Sequence, residues 1–196
     1  GFKLAVGCRL VFADETPDIL AYPEDRAAYG RLSKLLSLGK RRAEKGACLL
    51  CLEDLLEHKE GLLLILMAPI KLTSGFESFL ASLAPLLRRS LWLGASMPHH
   101  GSDKKRLAKL SELSSAHHTP LIAINDVLYH IPERRIIQDV LSAIREHTPI
   151  EKIGRKLEAH AERHLKSSKE MVRLFRHAPE AVSETIRFLD RARFSL

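Results

Sequence analysis

The chain has 196 residues, 45% hydrophobic and 28% charged, which suits one domain with a sizeable core and excludes a disordered segment. Its longest apolar run, Gly61 to Ile70, is broken by Pro69 well short of the roughly 20 residues a membrane span requires, so no membrane partner is expected. A formal charge of +7 favours a polyanionic neighbour such as nucleic acid, and three cysteines without a secretory signal point to a reducing, cytoplasmic setting rather than a disulfide scaffold.

In chain order, Lys3 to Phe12 and Ile19 to Tyr22 read as strands joined by the turn Ala13 to Pro17, where turn chemistry accounts for Asp14, Glu15 and Asp18. From Glu24 to about Lys45, Ala28, Leu32, Leu35 and Leu36 recur at helical spacing, and Gly46 follows as a stop. Cys48 and Cys51 stand at the spacing of a zinc or redox half-site. Without a second Cys or His pair, and with Leu49, Leu50 and Leu52 beside them, they are expected to be buried small hydrophobes.

Leu52 to Glu57 predicts a short helix, Leu62 to Met67 a buried strand, Phe76 to Leu87 a helix and Leu91 to Met97 a strand. Asp103 to Ser115, started by Ser102, is the next helix, and Leu121 to Ile124 the strand that ends in Asn125-Asp126. This alternation implies parallel βαβ units with right-handed crossovers, in a barrel or a doubly wound sheet. Helices follow: Glu133 to Glu146, one opened by the capping box Thr148-Pro149-Ile150-Glu151, one opened by Ser167 to Glu170, and a last from Pro179 to Arg191. The basic clusters Lys40-Arg41-Arg42 and Lys104-Lys105-Arg106 are read as solvated faces.

An apolar run that stops at a carboxylate is how a parallel strand delivers a polar group to the active-site end of an α/β fold, which makes Asp126 a candidate. The run Ala123-Ile124-Asn125-Asp126-Val127-Leu128-Tyr129 also resembles the "ATND-V-H-Y" signature in the PHP (polymerase and histidinol phosphatase) domain of bacterial C-family DNA polymerases. Ile19 to Leu38 is similar to that family's "LLA…GY-x-NL-x-KL-x-S" stretch. Leu165 to Met171, Leu174-Phe175 and Pro179-Glu180-Ala181 follow its "YLKSP-x-EM…LF…PEA" run. Arg41 to Gly46 and the Leu128-Tyr129-His130 variant resemble the error-prone branch most.

The resemblance implies an incomplete, distorted seven-stranded PHP barrel over 1–147, followed by a helical segment over 148–196 that leads towards a polymerase palm and thumb outside the chain. The opening on Gly1 and the stop at Leu196 are read as cuts in a longer polypeptide, leaving an exposed sheet edge and apolar faces, with poor solubility or dimerisation expected. For the parent enzyme it implies DNA-directed DNA synthesis in replication and damage repair in the bacterial cytoplasm. DNA and deoxynucleotides would be its partners, with a sliding clamp or mutagenesis accessory proteins, and Mg²⁺ would sit on palm aspartates that are not in this chain.

The resemblance also implies a damaged metal site. The family's Gly-x-Glu ligand falls on Gly7-Cys8-Arg9, and the His of its Asp-x-His pair is Leu128. A guanidinium cannot ligate a cation but can pair with a carboxylate, so Arg9, Asn125, Asp126 and His130 are expected to form a remnant of the site held by ion pairs. Zn or Mn is not expected, and Asp126, His99 and His100 are the remaining metal candidates. The expectation is thus a scaffold without chemistry of its own. The alternatives are a metal-dependent PHP phosphoesterase or 3′ to 5′ exonuclease, and a non-catalytic module that binds DNA or protein.

Overall fold

A computed structural model describes residues 4–195, so Lys3, the expected start of the first strand, lies outside them, as does Leu196. Five strands form one sheet in the order β1 (Cys8–Leu10), β2 (Ile19–Pro23), β3 (Leu62–Met67), β4 (Leu91–Ala95) and β5 (Leu121–Ala123). Strands β3, β4 and β5 are parallel, as the alternation of strand and helix implies, but β2 runs antiparallel to both β1 and β3. The physical reason lies in the connection from β2 to β3. It holds two helices, α1 (Arg26–Arg42) and α2 (Leu52–His58), and returns the chain to the end where β2 stopped, so that Glu24 N–H donates to the Gly61 carbonyl at 2.9 Å. The order has no reversal, unlike a doubly wound sheet. Among the described residues β1 and β5 do not pair, so the sheet is open.

Successive side chains of a strand point to opposite faces, and the apolar residues sort accordingly. Leu62, Leu64 and Leu66 of β3, with Leu91 and Leu93 of β4, belong to the larger core, against α1, α3 (Ser74–Leu86) and α4 (Asp103–Ala116). Leu63, Ile65, Trp92 and Ile122 form a smaller cluster on the other face, where the buried members from outside the sheet are Phe188 and Ala192, with Ala5 and Ile124 packed at its margin. Phe188 belongs to α7 (Pro179–Arg191), which follows α6 (Ser168–Leu174). Trp92 is met edge-on by Phe188, donates to Glu184 Oε1 at 2.9 Å and has the Arg191 guanidinium 5.2 Å from its ring centre. Phe175, between α6 and α7, is fully buried in the larger core.

Side-chain caps set three of the helix starts. Asp25 and Thr73 accept from the N–H groups of Ala28 and Phe76, and Ser167 accepts from Glu170 N–H, which satisfies donors with no partner inside the helix. Ser102 makes no side-chain cap bond for α4. The capping box at Thr148 does not start a helix: its hydroxyl donates to the Glu146 carbonyl, and Gly154 follows at φ +58° before a single 3-10 turn, Gly154–Lys156. The tail is therefore not helical throughout. Residues 157–165 run without regular structure between α5 (Arg135–Arg145) and α6.

The CxxC stretch is the loop between α1 and α2. Leu50 takes its core position, whereas Cys48 is exposed and Cys51 half-buried, contrary to the expectation that both are core residues. The loop lies so close to α1 that a Cβ on Gly39 would come within 2.6 Å of Cys48 Sγ, so this helical glycine serves close approach.

Asp54, buried in the first turn of α2, accepts from Cys51 N–H at 2.9 Å and from Arg42 at 2.7 Å. The Cys51 N–H, and after it Arg42, hold its carboxyl below the ordinary 3.8 against the opposing effect of burial. A carboxyl with a lower pKa in the folded than in the unfolded state stabilises fully above its unfolded value, and that contribution is lost as the pH falls through the folded value. Unfolding measured against pH is expected to show stability declining below about pH 4, with a shallower decline in Asp54→Asn. An unchanged slope in that variant would place the acid sensitivity on other carboxylates.

Candidate functional site

The C-terminal ends of β3, β4 and β5 open into a cleft of about 410 Å³, lined among others by Met67, Ser96, His100, Asn125 and Asp126. Strand ends suit this purpose because their backbones are held by the sheet while the residues just beyond are free to present polar groups. Because β2 runs the other way, its N-terminal end lies beside the C-terminal end of β3, with Ile19 opposite Leu66. Asp18, just before β2, therefore joins the cleft, as does Arg9 of β1.

Asp126 sits just past β5 at φ +46°, a left-handed conformation that Asp tolerates better than most residues. Its carboxylate lies between two guanidiniums, Arg163 at 2.6 Å and Arg9 at 3.3 Å. Arg9 also pairs with Asp18 at 2.5 Å, and Arg163 with Glu158 at 2.6 Å. The result is a chain of alternating charge, Asp18-Arg9-Asp126-Arg163-Glu158. All of it is at least partly exposed, so each pair is screened by water and contributes modestly to stability.

Residues 158–165 close one side of the cleft. Asn125 Nδ2 donates to the His164 carbonyl at 2.9 Å, Leu128 N–H to Arg163 at 2.8 Å and Leu165 N–H to Tyr129 at 3.0 Å, which makes a short parallel bridge between Tyr129 and His164. Arg163 Nε also donates to the Asp126 carbonyl at 3.0 Å. Beneath this segment the Lys166 side chain is only 2% exposed, with its ammonium on the Glu162 carboxylate. Burial pushes the Glu162 carboxyl up, but Lys166 and His99 outweigh it and hold it below its ordinary range.

The sequence candidates separate at this point. Arg9, Asn125 and Asp126 meet in the cleft, and His130 is exposed outside it. His100 lines the cleft, its ring centre 5.8 Å from that of His160, and His99 turns its Nε2 towards Glu162 at 3.4 Å. Asp126, His99 and His100 do not converge as ligands: among the described residues no three His, Cys, Asp or Glu side chains group as they would around a metal ion. The donor set does not fit the metal cluster that a PHP site implies, because a divalent ion at Asp126 would have to displace two guanidiniums.

Sequence reasoning missed Asp18, Glu158, His160, Glu162 and Arg163. Asp18 is explained by the direction of β2. Arg163 lies 37 positions beyond Asp126 in a segment without periodicity, and only the family-like run that starts at Leu165 hinted that the stretch matters.

One further residue holds the cleft from behind. Arg106, the third residue of the Lys104-Lys105-Arg106 cluster, is buried rather than solvated. Its guanidinium donates to the carbonyls of Pro69 (2.9 Å), Ser96 (2.8 Å) and Ala68 (2.7 Å), the residues that leave β3 and β4.

No family model matches the chain. Curated proteins named error-prone DNA polymerase are similar to it over almost its whole length. The one from Rhodopseudomonas palustris (strain BisB5) is 54% identical over 195 residues, which is 99% of this chain and 18% of that protein. The one from Bradyrhizobium diazoefficiens is 52% identical over 200 residues, 99% of this chain and 17% of that protein, and the one from Caulobacter vibrioides is 47% identical over 194 residues, 99% and 18%. The chain thus spans about 18% of the length of the relatives it matches.

Proposed function

We propose that the chain is one part of an error-prone DNA polymerase, a PHP-type domain whose cleft serves as a scaffold where a metal site once stood. The observation that carries the parent assignment is the similarity to proteins of that name over 99% of the chain. The scaffold assignment is supported by the clamp of Arg9 and Arg163 on Asp126, which occupies the carboxylate that a metal would need. In the complete enzyme, DNA-templated addition of deoxynucleotides belongs to a palm domain with its own Mg²⁺, outside these residues. Here the ion-pair chain ties β1, the turn before β2, the end of β5 and residues 158–165 into one unit on which neighbouring domains can rest.

The test uses the complete gene product. Primer extension on a DNA template is expected, together with less than one equivalent of Zn or Mn per molecule after extensive dialysis, and extension is expected to persist in Asp126→Ala. Absence of extension on every template would sink the polymerase assignment. Stoichiometric Zn or Mn, with a 3′ to 5′ exonuclease lost in Asp126→Ala, would replace the scaffold by a metal-dependent phosphoesterase.

A further inference from the structure

Helix α5 is inside out. Its half-buried and buried positions are Arg135, Gln138, Asp139, Ser142 and Ala143, four of them polar, and they face the body of the protein, where Arg135 donates to the Glu158 carbonyl. Its exposed positions are Ile136, Ile137, Val140, Leu141, Ile144 and the terminal Arg145, the five apolar ones between 45 and 67% exposed. A surface helix normally shows the reverse arrangement, with its apolar stripe on the core. Ile137, Val140, Leu141 and Ile144 stand at i, i+3, i+4 and i+7, the spacing with which one helix receives another, and Ile136 widens the stripe. Such a face marks an interface.

From this we infer that the apolar face of α5 is the seat of an amphipathic helix supplied by the rest of the same polypeptide. The inference rests on the reading of this chain as one part of a longer polymerase. Two observations select that occupant. The face is aliphatic over its length, with one exposed arginine, Arg145, at its C-terminal end and without the Tyr or Trp anchors typical of partners that come and go, so it has the character of a permanent contact, a core divided between two pieces. The chain accounts for about 18% of its relatives' length, so most of the polypeptide lies outside it. A tethered segment reaches the face at an effective concentration that neither a second copy nor a separate protein matches.

The experiment is thiol labelling of the complete polypeptide in Ile137→Cys and Leu141→Cys, each compared with the same variant unfolded in urea. Labelling at least about tenfold slower in the native protein, and independent of protein concentration, is the expected result. Native rates close to the unfolded ones overturn the inference. So does slow labelling that accelerates on dilution as the particle mass halves, which assigns the face to a second copy. If a cysteine variant misfolds, hydroxyl-radical footprinting of the same aliphatic side chains in the unsubstituted protein measures their protection directly. Primer extension by the same preparation separates this inference from the one beneath it: extension with an unprotected α5 sinks the docking alone, and protection without extension sinks the polymerase assignment alone.

Discussion

Arg106→Leu is expected to lower the stability of the chain by about 2–4 kcal/mol. The residue donates to three carbonyls of the segments leaving β3 and β4, and among the described residues no carboxylate bonds to its guanidinium. Each buried acceptor left without a donor costs about 1–3 kcal/mol. Two effects reduce the sum. Ala68, Pro69 and Ser96 line the cleft, so water replaces part of what they lose, and the substitution removes the cost of keeping a cation out of water. Desolvation already pushes the Arg106 guanidinium down from its ordinary value, which shows the direction of that cost. In urea titration the midpoint is expected to fall at unchanged slope, and the exposed neighbour Lys105→Ala to stay within about 0.5 kcal/mol of the parent chain. Equal midpoints for Arg106→Leu and the parent chain would show that the three carbonyls find water at no cost.

Phe175→Ala is expected to cost about 3–5 kcal/mol, the range for deleting a fully buried aromatic ring. Its further consequence is local. Phe175, Ala178 and Ala181 are fully buried and hold the corner from which α7 crosses to the second face of the sheet. Loss of the ring leaves a cavity at that corner and lets α6 and α7 open before the sheet does. Trp92, the only tryptophan of the chain, reports this because Phe188 and Glu184 of α7 are its partners. A red shift of its emission at urea concentrations where the helices α1 to α4 are still folded is the expected signature. A single transition, with tryptophan emission and helix content changing together, would mean that the tail and the sheet form one cooperative unit.

Apolar content was easy to read and direction was not. Leu62 to Met67 is apolar at every position and stands as a strand buried on both faces, where continuous burial leaves little else. The pattern of Ile19 to Tyr22 is the same whichever way the strand runs, so the antiparallel course of β2, and with it the place of Asp18, was not legible. Arg106 was hidden by two exposed lysines, because charge runs reveal composition and not burial. For α5 the sequence reading gives a helix over Glu133 to Glu146 and not which of its sides meets the core; here the polar side does. The resemblance to the error-prone branch agrees with the names of the curated relatives, while the PHP assignment and the scaffold role are proposals. The Arg163 contact with Asp126 bridges 37 positions through an irregular segment, and neither spacing nor composition encodes such a pair.

The position of α7 has a consequence for synthesis. Leu63, Ile65, Trp92 and Ile122 are made well before Phe188 and Ala192, the buried side chains from the later part of the chain that cover them. At roughly 5–20 residues per second, translation leaves that face of a finished sheet bare for on the order of several seconds while the intervening residues are added. A nascent chain that shows four large apolar side chains for so long is a natural client for a holding chaperone at the ribosome.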